Sequence, residues 1–341
     1  MSPSPLHKRQ RIDSDPSSES TGDPKKSSDF WFSDGTLILI TRDGTTFRVH
    51  KGVLAQNSEV FRDMFSLPAV EPSVDENIDG CPVVHVDDTA EQWVDVLTAF
   101  YRGALIFGDH RTITFNTVLS MLELGTKYRI AYVREEAMRR MRQLFPPSLA
   151  DFPHHYIIYS KEFRPRDTKT VSVVIDHYMC YSAVSMVRRL NLDTFLPPIL
   201  YICAQSSVEE MFTGLSSGEW TIDDLQLCMQ GIEPMMDDRI AGYAPLFRHE
   251  LDADCRTPSK CKTSITRFLQ YKGAGMGHGV PDVLFIERPL ALLKNMGMCL
   301  YCLAHYATIF EKLRKEIWNK LGGYFGVEPW PPVENESQST N

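Results

Sequence analysis

Short apolar runs and turn residues alternate along the first part of the chain. Residues 35–40 read GTLILI, residues 45–49 read TTFRV, and Asp43-Gly44 stands between them. This pattern predicts two strands joined in a β-hairpin, because Asp-Gly favours the tight turn that hairpins need. The run CPVVHV at 81–86 predicts a third strand.

Helical spacing surrounds and follows these strands. Between 93 and 101, large apolar side chains recur three or four residues apart and would share one helical face. Ser58 followed by Glu59 is typical of a helix N-terminus. The other predicted helices cover 51–55, 58–65, 114–128 and 133–144. The order of elements predicts an α+β domain over residues 29–147.

The second half of the chain favours helix throughout. Its periodic apolar segments are separated by Pro, Gly and Asp, which interrupt helices. These segments cover residues 171–190, 196–213, 221–236 and 296–321. We therefore predict a mainly α-helical C-terminal domain over residues 148–332.

Both ends of the chain are polar. Residues 1–28 carry almost no large apolar side chain and are predicted to be a disordered tail, as are residues 333–341. The basic cluster Lys8–Arg11 fits either a solvated tail or a nuclear address.

The composition disfavours nucleic-acid-binding, membrane-spanning and secreted proteins. The 341 residues include 36 Lys and Arg against 44 Asp and Glu, a net charge of -8 that disfavours nucleic-acid binding. The sequence lacks a long apolar stretch and a secretory leader, so we expect a soluble intracellular protein of the cytoplasm, the nucleus or both. The eight cysteines are then expected to be reduced.

The first domain resembles the BTB/POZ family. The resemblance lies in a series of motifs in the expected order, including an H-K-x-x-L-A-x-x-S-x-x-F-x-x-M-F string. These are Asp34 and Leu37, Phe47, VHKGVLAQNSEVFRDMF (49–65), VHVDD (84–88), WVDVLTAFYRG (93–103) and MLELGTKYRI (121–130). The whole chain also resembles fungal BTB proteins whose helical region ends in a stretch like EIWNKLGGYFGVEPW (316–330).

The resemblance implies a short sheet packed on a helical cluster that binds other proteins and performs no catalysis. The leading interpretation is a scaffold or adaptor without enzymatic activity or cofactor, whose partners are other proteins, possible self-association included. Two narrower roles stay open: a substrate adaptor for cullin-type ubiquitin ligases and a BTB-type transcriptional regulator. No membrane or nucleic-acid partner is expected.

Five residues are candidates for the interaction site. The resemblance places Asp34 and Lys51 at the family's buried charged pair, with Lys51 in place of the more frequent Arg. Val74 and Glu76 fit the φ-x-E pattern of cullin adaptors. His50 precedes Lys51 without a nearby nucleophile motif, so we interpret it as a structural residue at a strand-to-helix junction.

The resemblance also bears on dimer formation. BTB domains that form swapped dimers carry an extra helix and strand before the core. Residues 1–28 show neither pattern, which speaks against a swapped dimer.

The cysteines offer the alternative of a metal site. Cys255, Cys261, Cys299, Cys302 and His305 include the ligand types that zinc prefers. Against this, helical periodicity over 296–321 indicates buried thiols acting as small hydrophobic groups. We therefore predict no metal and keep these five residues as less favoured candidates, with zinc binding as a third possible function.

Overall fold

The computed structural model describes residues 25–67, 77–108, 111–152, 173–174, 177–271, 284 and 287–330. These residues belong to two compact units. The first falls within Met1–Gly52 and Ala69–Ala90, and the second within Val53–Pro68 and Glu91–Asn341.

The first unit contains a five-stranded sheet with the order β1-β3-β2-β5-β4. Its strands are β1 Lys25–Trp31, β2 Leu37–Ile40, β3 Thr45–Val49, β4 Asn77–Ile78 and β5 Cys81–His85. The predicted hairpin is confirmed, since β2 pairs antiparallel with β3 and places Leu39 opposite Phe47. Gly44 has φ 76 in the connecting turn, a conformation that glycine adopts without strain. Strand β5 lies parallel to β2 on its other side.

Strand β1 lies partly before residue 29, where the ordered domain was predicted to start. It begins at Lys25, inside the predicted tail, and runs parallel to β3. The sequence KKSSDFW does not show the alternation of apolar and polar residues that predicts a strand. The reason is that β1 is an edge strand in which Phe30 alone is buried. Since β1 precedes the core, the absence of an upstream strand no longer speaks against a swapped dimer. Residues 1–24 lie outside the described part of the chain, so their disorder stays a prediction.

Five helices follow the predicted positions up to residue 144. They are α1 Lys51–Asn57, α2 Glu59–Ser66, α3 Ala90–Tyr101, α4 Phe115–Lys127 and α5 Ala131–Leu144. Together with the sheet they confirm the predicted α+β class.

Ser58 fixes the start of α2 in two ways. Its hydroxyl oxygen accepts a hydrogen bond from the Phe61 backbone N–H at 3.2 Å, as the predicted N-cap requires. The same hydroxyl donates to the Tyr128 carbonyl oxygen, 70 positions away, at 2.6 Å. Phe61 is 2% exposed, its ring stacks on Tyr128 at 5.2 Å, and it meets the Trp93 ring edge-on at 5.8 Å. One buried cluster therefore joins α2, α3 and the end of α4.

The C-terminal region is helical, as predicted. Its helices are α6 His177–Arg189, α7 Leu196–Cys203, α8 Val208–Ser216, α9 Ile222–Gly242, α10 Ala244–Phe247, α11 Pro258–Gln270, α12 Glu287–Asn295 and α13 Leu300–Tyr324. The short strands β6 Ile113–Thr114 and β7 Val173–Val174 pair in parallel. The predicted segment 196–213 is in fact two helices, because Ser207 and Glu210 form a capping box that starts α8. Helix α12 was not predicted. Within the described ranges, no helix is long and apolar enough to cross a bilayer.

Helix α13 packs very closely on the elements around it. A Cβ atom added to Gly231 of α9 would lie 2.2 Å from Cε1 of Phe325, the C-cap residue of α13. A Cβ on Gly242 would lie 2.4 Å from Cδ1 of Leu313 in α13. Both distances are well below van der Waals contact. The spacing between α9 and α13 therefore requires glycine at these two positions.

We expect Ser58→Ala to lower the free energy of unfolding by about 2–3 kcal/mol, because it removes the N-cap and leaves the Tyr128 carbonyl without this donor. Ser66→Ala is the matched control. Ser66 lies in the same helix but is exposed, and its hydroxyl donates to the nearby Asp63 carbonyl. The control should change stability by less than about 0.5 kcal/mol in urea unfolding followed by circular dichroism. Equal losses for the two variants would show that the Ser58 contact does not anchor α2.

We expect Gly231→Ala to destabilise the protein by about 1–3 kcal/mol, because the added methyl group collides with Phe325. Gly52→Ala provides the control, since Gly52 also lies in a helix and its Cβ would meet no atom within 4 Å. That change should be neutral or stabilising by up to about 1 kcal/mol, because alanine is the better helix former. Melting temperatures of the full chain measure both effects. A Gly231→Ala protein as stable as Gly52→Ala would contradict the close packing.

Candidate interaction surface and candidate metal centre

His50 occupies the junction between β3 and α1. Its Nε2 atom lies 3.4 Å from Oδ1 of Asp34, and its ring centroid lies 5.1 Å from that of Phe32. The next residue is held through its backbone, because the Lys51 N–H donates to the Thr36 hydroxyl at 3.0 Å. The imidazole thus lies near both a carboxylate and an aromatic ring at a strand-to-helix junction.

The expected charged pair is not buried within a single chain. The Asp34 side chain is 81% exposed, and Lys51 is also exposed. This differs from the buried pair that the resemblance implies. The physical reason is the cost of removing a charge from water, which a chain avoids unless other groups cover and neutralise that charge. Here both charged groups face solvent.

A buried arginine organises the loop that follows α3. Arg140 of α5 is fully buried and donates hydrogen bonds to three backbone carbonyls of this loop. The acceptors are the carbonyl oxygens of Ile106 at 3.2 Å, Gly108 at 3.1 Å and Arg111 at 2.8 Å. Its Nε also donates to Glu136 at 2.7 Å. This role could not be predicted from sequence, because the REEAMRRMR stretch of α5 is typical of a solvated helix face.

The sheet and helices α1–α5 correspond to one known domain. A family model described as BTB/POZ domain matches residues 27–143 of the chain.

Residues 27–143 form a BTB/POZ domain.

A comparison with curated proteins gave no match. The matched residues include β1 from its third residue onward.

BTB/POZ domains generally act as non-enzymatic modules that mediate self-association and binding to other proteins. The functional site of such a domain is a surface rather than a catalytic pocket. Asp34, His50 and Lys51 all lie within the BTB/POZ domain, on its described part. Val74 and Glu76 also lie within its limits, but they fall outside the described residues.

Four cysteines converge in the C-terminal region, outside the BTB/POZ domain. The Sγ atoms of Cys255, Cys261, Cys299 and Cys302 all lie within 4.8 Å of one another. The Sγ of Cys255 is 3.7 Å from that of Cys261 and 3.8 Å from that of Cys299. All four are free thiols. His305, the fifth candidate, does not belong to this group.

Two helix starts and one loop bring the four thiols together. Cys255 lies in the loop before α11, and Cys261 lies in the first turn of α11. Cys299 is the N-cap of α13, and Cys302 lies in the first turn of that helix. The periodicity over 296–321 suggested that Cys299 and Cys302 lie beside a helical apolar stripe as buried thiols. In the structure α13 begins only at Leu300, so Cys299 precedes the helix. As the N-cap residue, its sulfur atom accepts a hydrogen bond from the Cys302 backbone N–H.

The thiols of this cysteine cluster differ in acidity. Burial acts to raise the pKa of Cys299, but the backbone N–H of Cys302 and the neighbouring thiols outweigh it and lower that pKa to about 7. Burial raises the pKa of Cys302 far above its ordinary value. Cys261 and Cys302 are fully buried, whereas Cys255 and Cys299 are partly exposed. The cluster therefore combines a readily ionised thiol near the surface with two sulfur atoms closed off from solvent.

Proposed function

We propose that this protein is a non-enzymatic scaffold that binds other proteins through its BTB/POZ domain, and that a second copy of the chain is one of its partners. The observation that carries the proposal is the BTB/POZ domain at residues 27–143, a family of protein interaction modules. The C-terminal helices then present or stabilise this domain.

The exposure of Asp34 and Lys51 supports self-association. The two residues carry opposite charges, and both face solvent in the single chain. In a symmetric dimer both copies contribute the same surface patch, so each contact between two different residues occurs twice. Asp34 of each copy would then face Lys51 of the other, which would bury a pair that one chain leaves exposed.

This arrangement predicts a charge-swap result. Asp34→Lys and Lys51→Asp should each weaken self-association about tenfold or more, because each places like charges opposite one another. The double variant should recover most of the lost affinity. Sedimentation velocity of the full chain over a wide concentration range measures the dissociation constants.

Asp63→Lys is the matched control for the charge change. Asp63 is exposed on α2, so this variant changes the net charge by the same amount as Asp34→Lys. It should leave self-association unchanged. A wild-type chain that stays monomeric at hundreds of micromolar would exclude self-association. If the single and double variants are equally weak, self-association stands but does not use this pair.

Two narrower roles follow from the same domain. A substrate adaptor would bind the N-terminal region of a cullin at micromolar concentration or tighter, and Glu76→Lys would weaken that binding. A transcriptional regulator would accumulate in the nucleus, and this accumulation would depend on the basic cluster Lys8–Arg11. An intracellular location is part of both proposals, and titration with a cullin fragment together with imaging of a tagged chain separates them.

A further inference from the structure

The spacing of the four sulfur atoms is that of a tetrahedral metal site. Zinc–sulfur bonds of about 2.3 Å at the tetrahedral angle place neighbouring sulfur atoms about 3.8 Å apart. The Sγ of Cys255 lies 3.7 Å from that of Cys261 and 3.8 Å from that of Cys299. No pair in the cluster exceeds 4.8 Å. Four soft ligand atoms therefore already surround a space of the size that one ion fills.

Backbone N–H groups donate hydrogen bonds to two of the four sulfur atoms. The Cys299 N–H donates to Cys261 Sγ at 3.4 Å, and the Cys302 N–H donates to Cys299 Sγ at 3.5 Å. Such donors stabilise the negative charge of thiolates, the form in which cysteine binds metals. The start of α13 adds the positive end of a helix dipole beside Cys299.

We propose that Cys255, Cys261, Cys299 and Cys302 bind one zinc ion in a closed tetrahedral site. All four positions around the ion are taken by protein sulfur, so the site is structural and leaves no position for a substrate. This inference concerns the C-terminal region and is independent of the proposed BTB/POZ scaffold function.

Two other arrangements of four cysteines fit the distances less well. A pair of disulfides would bring sulfur atoms to about 2.05 Å within each pair, whereas Cys255 lies almost equally far from Cys261 and Cys299. An iron–sulfur cluster distributes its cysteine ligands over several iron atoms, which keeps the ligand sulfur atoms further apart than a single ion does. Tetrahedral coordination by four thiolates favours a single zinc ion.

The ion would connect two parts of the chain that are distant in sequence. Cys255 and Cys261 come from the loop and first turn of α11, and Cys299 and Cys302 come from the start of α13. A single ion would therefore fix the N-terminal ends of both helices to each other. Metal binding energy of this kind contributes directly to folding, because the unfolded chain does not hold the four ligands together.

The first test is the metal content of the full chain, purified under reducing conditions without chelators and measured by mass spectrometry. We expect about one zinc ion per chain, the stoichiometry of a single closed site. Cys261→Ser and Cys302→Ser should lose most of this zinc. Cys228→Ser is the matched control, because Cys228 is also fully buried but lies outside the cluster, and it should retain the ion. His305→Ala should retain it as well.

A second measurement keeps the proposal testable if the cluster variants fail to fold. Wild-type protein is treated with chelator under reducing conditions and titrated with Co²⁺, whose absorption reports its ligands. We expect one equivalent to give the intense visible bands and thiolate charge-transfer bands of tetrahedral sulfur coordination, and Zn²⁺ to displace it. Wild-type protein that holds no stoichiometric metal and takes up no Co²⁺ would overturn the proposal. So would a metal that survives loss of Cys261 or Cys302 in folded variants.

Discussion

The C-terminal region depends on the close packing of the long helix α13. Ten residues of this helix are buried, and at Gly231 and Gly242 the neighbouring helix α9 comes too near for a Cβ atom. Hydrogen bonds also hold the helix near each of its ends. The Tyr306 hydroxyl donates to the Glu250 carbonyl at 2.7 Å, and Trp330 Nε1 donates to the Trp318 carbonyl at 2.7 Å. Dense packing of this kind forces neighbouring residues into one arrangement. The four thiols of the cysteine cluster lie at the start of this helix and beside the start of α11.

The BTB/POZ domain uses a similar principle at a smaller scale. The Ser58 hydroxyl serves the start of α2 and the end of α4 together, and the rings of Phe61, Trp93 and Tyr128 fill the space beside it. These buried side chains therefore hold the helices of the domain together. Asp34 and Lys51 lie at the surface of this domain, where the proposed self-association would use them.

Much of the fold can be predicted from sequence wherever local signals and burial agree. Asp43-Gly44 specifies the hairpin turn, and Ser58 before Glu59 specifies the start of α2. Strand β1 could not be predicted, because an edge strand with one buried side chain shows no alternation. The cysteine cluster is a different case. Its pairs lie at 255–261 and 299–302, and no local spacing shows that α11 and α13 begin at the same place.

Hydrogen exchange along α13 tests most directly whether this helix supports the C-terminal region. In the full chain as purified, backbone amides of α13 should exchange far more slowly than those of α8, whose Val208 and Phe212 are exposed. Removing metal with a chelator should speed exchange in the first turns of α13 and leave its second half protected. Exchange in α13 as fast as in α8 would contradict the account.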